Sequence, residues 1–86
     1  MSYRIEFAPR ARRQLEKLPR EAQVRLAAAL SNLQSDPRPR GVKKLSGDEH
    51  LYRIRVRDYQ IIYQIRDREL VVLVVKIGHR REIYRQ

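Results

Sequence analysis

From Leu51 to Ile77 the chain is written largely in a period of two, and this stretch constrains the fold more than any other. Tyr52, Ile54 and Val56 alternate with Arg53, Arg55 and Arg57, and Tyr59, Ile61, Tyr63 and Ile65 then form the inner face of a second run. Such alternation sends apolar side chains to one side of a sheet and polar ones to the other. Asp58 marks one tight turn and Asp67-Arg68 the next, and strands joined so briefly pair antiparallel. Leu70 to Ile77 is apolar on both faces apart from Lys76, the pattern of a central strand covered on both sides. The tail from His79 to Gln86 follows Gly78, which is expected to end this strand.

The first half of the chain supplies what covers the sheet. Tyr3, Ile5 and Phe7 alternate with Ser2, Arg4 and Glu6, as in a half-buried strand. Pro9 stops that strand and opens a helix to Leu18, with Ala11, Leu15 and Leu18 on one side. Pro19 breaks it and starts a second helix, in which Ala22, Leu26, Ala29, Leu30 and Leu33 make an apolar stripe. Residues 36–41 (DPRPRG) form a loop, and Lys43 to His50 is expected to be irregular. The predicted architecture is α+β in the order β-α-α-β-β-β, with a two-helix hairpin on one face of a mainly antiparallel sheet. Its 86 residues make one domain, 1–86. The arginine row falls on the opposite face.

Charge narrows the partner. Twenty Lys and Arg, sixteen of them Arg, stand against ten Asp and Glu, a formal net charge of +10. Such an excess favours a polyanion, and the planar guanidinium fork matches phosphate and stacks on bases. There is no cysteine, hence no disulfide and no thiolate chemistry. The longest apolar run, Leu70 to Val75, is too short to span a membrane. With no signal peptide in evidence, a cytoplasmic protein without a membrane partner is expected. Two separated histidines and scattered acids give no metal-ligand spacing, and no phosphate loop or dinucleotide fingerprint occurs, so neither metal nor cofactor is expected.

Two groups of residues can carry chemistry. Arg53, Arg55 and Arg57 are predicted on one strand face, with neighbouring Cα atoms about 6.5–7 Å apart, close to the spacing of successive phosphates in a single strand. A solvated face is the plain alternative, yet three like charges in a row repel unless a ligand supplies the anion. Lys43, Lys44, Gln60 and Arg81 are further candidate RNA contacts. The second group is the tail, where His79, Arg80 and Tyr84 follow Gly78. RNA cleavage needs such types: a 2′-hydroxyl loses a proton, a phosphorane is stabilised, and a 5′-oxygen gains a proton. Fixed arginine charges can serve this without a metal.

Three segments, "YRIEFAPRARRQLEKLP", "KKLSGDEHLYRIRVRDYQIIYQI" and "VVLVVKIGHRREIY", together resemble the RelE/ParE superfamily of toxins from type II toxin–antitoxin systems, its RelE branch in particular. The resemblance spans essentially the whole chain. It implies a microbial-ribonuclease-like fold and cleavage of mRNA in the ribosomal A site by 2′-hydroxyl attack, with the ribosome and its rRNA as partners. It also implies an acidic, RelB-like antitoxin that blocks the basic face. The family's basic positions fall on Arg53 and Arg55, where other members carry Lys. A basic position of the next strand falls on Gln60, the arginine of the glycine turn on Arg80, and the C-terminal tyrosine on Tyr84. Some relatives use a histidine near that end, which makes His79 eligible. Arg is a poor general base, and Gln60 removes a positive charge near the scissile phosphate. The resemblance leaves two alternatives open: a ParE-like inhibitor of DNA gyrase, or an RNA-binding toxin with weakened cleavage.

Overall fold

The computed structural model describes residues 2–45, 47 and 50–79. Five strands and two helices follow in the order β1 (Arg4–Phe7), α1 (Pro9–Glu16), α2 (Arg20–Ser35), β2 (Lys43–Lys44), β3 (Leu51–Val56), β4 (Tyr59–Arg66) and β5 (Val71–His79). They form one sheet in the order β1-β5-β4-β3-β2. β2 to β5 are antiparallel neighbours, and β1 lies parallel to β5. The two-helix cover and the meander are as the sequence predicts. Among the described residues, no helix is long and apolar enough to cross a membrane.

The helices form where the proline signals place them. Pro9 occupies the first turn of α1, where its missing N–H costs nothing. Pro19 precedes α2 with an extended backbone, and Glu21 sits in the first turn, where its charge complements the helix dipole. The two helices are stitched together by Gln23, whose Nε2 donates to the carbonyls of Leu18 (2.9 Å) and Glu16 (3.2 Å) at the end of α1. These carbonyls would otherwise lack donors within the helix. Ala11 of α1 and Leu26, Leu30 and Leu33 of α2 pack with Ile61, Tyr63, Ile65, Val72, Val74 and Ile77 into one core. Each fully buried aliphatic residue there contributes roughly 1.5–3 kcal/mol.

Four local departures from the sequence reading matter for the site. Lys43–Lys44, expected to be irregular, pairs with β3 as a short edge strand. β3 ends at Val56, so Arg57 lies in the hairpin turn with a left-handed φ of 56° rather than on the strand with Arg53 and Arg55. Leu70, expected to start the last strand, also has a left-handed φ (54°) and belongs to the turn. β5 does not stop at Gly78; pairing continues through Gly78 to His79.

The register of β4 against β5 shifts between Ile62 and Tyr63: Ile62 faces Lys76, whereas Tyr63 faces Val74. Val75 is therefore the extra residue of a β-bulge. The core positions of β5 are Val72, Val74 and Ile77, two residues apart and then three. Past the end of β1, the Ile77 amide donates to Oε1 of Gln14 from α1 at 2.8 Å, which holds the post-bulge segment against the helix.

Candidate functional site

The helices cover one face of the sheet. On the other, register places side chains in rows running across the strands. One row is Lys43 (β2), Arg53 (β3), Ile62 (β4) and Lys76 (β5). The next is Arg55 (β3), Gln60 (β4) and Gly78 (β5). Four cations, Lys43, Arg53, Arg55 and Lys76, thus share a single surface. Lys43 and Arg55 are exposed; Arg53 and Lys76 are half-buried. Lys43 stands directly across from Arg53, which puts two like charges side by side on this face. The acid of this face among the described residues is Glu6 on β1. It is engaged by Arg4, whose Nη2 and Nε lie 2.7 and 2.9 Å from Oε2.

The structure brings some of the predicted residues together and separates others. Arg53, Arg55 and Lys43 share the basic face. Lys44 pairs with Tyr52, whose ring packs on the core side, and so belongs to the opposite face. Arg57, expected on the strand beside Arg53 and Arg55, is in the turn at its end. Gln60 lies on the basic face between Arg55 and Gly78 but is 0% exposed, so this arrangement offers no surface for the RNA contact expected there. His79 is half-buried on the helix side, edge-on to Tyr59 with ring centroids 5.8 Å apart, so the sheet separates it from Arg53 and Arg55. Arg80, Arg81 and Tyr84 lie outside the described residues.

Lys76 is the residue that sequence reasoning missed. A lone charge in an apolar strand was the available signal. Strict alternation from Val72 and Val74, however, would send residue 76 into the core. Only the bulge at Val75 turns it to the basic face.

Chemically, such a face can bind a polyanion and stabilise added negative charge. Guanidinium stays protonated throughout the neutral range, so Arg53 and Arg55 act as fixed charges rather than as proton acceptors.

The same two-helix cover on a five-stranded sheet is found in solved toxins of toxin–antitoxin systems. Residues 5–84 match the family described as the ParE toxin of the type II toxin–antitoxin system, parDE. The mRNA interferase toxin RelE of Escherichia coli strain K12 is 32% identical over 88 residues, covering 98% of this chain and 92% of the relative. The crystal structure of the isolated E. coli RelE toxin gives a TM-score of 0.83 at 31% identity, covering 98% of this chain and 93% of that one. A chain of the intact E. coli RelBE toxin–antitoxin complex gives 0.82 at 30%, covering 91% and 96%. The chain belongs to the RelE/ParE toxin family and is of the RelE type.

Proposed function

We propose that this toxin is a ribosome-dependent mRNA endoribonuclease that cleaves by 2′-hydroxyl attack on the scissile phosphate, without a metal. The observation that carries the reading is the row of basic side chains across one sheet face, in a chain similar over nearly its whole length to an mRNA interferase. Arg53 and Arg55 hold the RNA backbone and offset the charge that builds on the phosphorane. Arg80 adds a further fixed charge, and Tyr84 or His79 moves a proton. His79 reaches the reacting atoms only if the RNA passes around the end of β5, because it starts from the helix side of the sheet.

In the same reading the cell silences the toxin with an acidic, RelB-like antitoxin segment laid over this face. A net charge of +10 favours such a partner on electrostatic grounds. The toxin acts in the cytoplasm, where translating ribosomes are.

The test is single-turnover cleavage on ribosomes programmed with a defined mRNA, using a matched message that carries one 2′-deoxy nucleotide before the cut. Cleavage of the ribose message alone is expected. Full cleavage of the deoxy message would exclude 2′-hydroxyl attack. The match to the ParE family favours one second reading, inhibition of DNA gyrase. Blocked supercoiling with intact mRNA would select it.

A further inference from the structure

We propose that Lys76 is a substrate-binding residue of this face, holding an RNA phosphate opposite Arg53 and Arg55, and that the β-bulge at Val75 exists to aim it there. The inference rests on the RNA-cleaving reading above and adds the residue that closes the basic face on the β5 side.

Three observations converge. The first is parity. Val72 and Val74 point into the core, so an unbroken strand would bury the ammonium at position 76 among apolar side chains. The extra residue reverses the alternation: Ile77 enters the core at 1% exposure, and Lys76 crosses to the face that carries Arg53. Bulges that re-aim a side chain are common beside functional sites.

The second is placement. Lys76 and Arg53 flank Ile62 in one row, which puts their Cα atoms roughly 10 Å apart, two strand spacings. Two long side chains reaching inward from that separation can close on one phosphate or on two successive ones. In the neighbouring row, Gly78 projects no side chain and Gln60 is buried, so among the described residues that row sets no charged side chain between Arg55 and β5.

The third is charge. Lys76 is half-buried on a strand whose other side chains before His79 are apolar, and its side chain has neither an ion-pair nor a hydrogen-bond partner among the described residues. Lysine is disfavoured at such positions unless something compensates it. A phosphate does so, and an ammonium binds it as a compact point charge. Gln14, which accepts from the Ile77 amide, is the positioning residue that fixes the bulge.

The chain contains no cysteine, so Lys76→Cys introduces a unique thiol. Aminoethylation of that thiol rebuilds a side chain of lysine's length and charge, whereas carboxamidomethylation caps it without charge. Single-turnover cleavage on programmed ribosomes should fall on the order of a hundredfold for the thiol and for the neutral cap, and recover on aminoethylation. The three forms should melt together. Lys76→Met should also lower the salt slope of single-stranded RNA binding by about one, because one phosphate is no longer neutralised, while Arg68→Met in the exposed β4–β5 turn changes neither. Equal rates with and without the charge, or recovery with the neutral cap, would overturn the proposal. Where the cysteine variant does not fold, Lys76→Arg against Lys76→Met decides on the same criterion. A wild-type protein that leaves programmed mRNA intact would instead overturn the underlying reading.

Discussion

Arg38 and the basic sheet face put similar charge to opposite use. Arg38, in the loop after α2, is engaged through all three guanidinium nitrogens. Its Nη1 and Nη2 donate to Asp67 at 3.2 and 2.9 Å, its Nε donates to the Tyr52 hydroxyl at 3.3 Å, and its guanidinium lies 5.3 Å from the centre of the Tyr52 ring. Tyr3 donates to the same carboxylate at 2.6 Å. Beneath them the Tyr63 hydroxyl, fully buried, donates to the Pro37 carbonyl at 2.8 Å. This corner ties the proline loop to the β4–β5 turn. On the basic face, by contrast, register sets Lys43 against Arg53 and turns Lys76 toward both. Charge is paired across the loop at the corner, whereas on the face several cations are set side by side in register. Sixteen arginines in the composition therefore do not count equally toward RNA binding.

Paired substitutions can break that comparison, and the largest effect belongs to the face. Replacing Arg53 and Arg55 together by Ala should lower cleavage on programmed ribosomes by about a hundredfold or more and reduce the salt slope of RNA binding by about two, with little change in melting. Arg38→Ala should do the reverse, leaving cleavage near wild type and lowering stability by roughly 1 kcal/mol, as expected for a partly exposed ion pair with extra hydrogen bonds. If both variants lose activity in step with stability, the division between face and corner is wrong.

A sharper effect, confined to stability, is expected from Tyr63→Phe. It deletes one hydroxyl from the buried layer and leaves the Pro37 carbonyl without that donor, at a cost of about 1–3 kcal/mol. The stacked arrangement with the Tyr52 ring (6.1 Å, 26°) is retained. Urea unfolding at unchanged m-value measures the loss, and cleavage by the folded fraction should be unaffected.

Much of the fold is legible in the sequence because it follows from short-range rules. Alternation from Leu51 to Ile65, the prolines at 9 and 19, and the stripe from Ala22 to Leu33 each specify an element and its buried side. The same alternation places Arg53 and Arg55 opposite the helices. It cannot place Lys76, because a bulge reverses parity and depends on where β4 meets β5, a long-range match. Alternation continues through position 57 and so puts Arg57 on the strand, whereas hairpin closure takes that residue for the turn. Gln60 falls on a basic position of the family, yet between Arg55 and Gly78 its own side chain is buried, which alternation alone does not reveal. Arg38 looks like one more loop cation; its partners lie 14 and 29 residues away in sequence, beyond any local pattern.

Acid gives the smallest effect, and it separates the two regions without mutating the face. The Arg38 guanidinium, and after it the Tyr3 hydroxyl, hold the Asp67 carboxyl at about 2, below its ordinary 3.8. Because folding lowers this value, the folded state favours the ionised carboxylate. The resulting stabilisation is complete above the ordinary carboxylate range and is lost as pH falls from about 4 towards 2. The side chains of Arg38 and Asp67 are 44% and 54% exposed, so water and salt screen the pair and the effect is modest. Asp67→Asn removes the titration but keeps an acceptor for Arg38. Wild type should therefore exceed Asp67→Asn in stability by a constant amount above about pH 5, and the gap should close between about pH 4 and 2. Arg53→Ala leaves the Arg38–Asp67 pair in place, so it should run parallel to wild type throughout. A gap between wild type and Asp67→Asn that persists undiminished at about pH 2 would mean that the corner is held by packing around Tyr52 and Tyr63 rather than by the charge on Asp67.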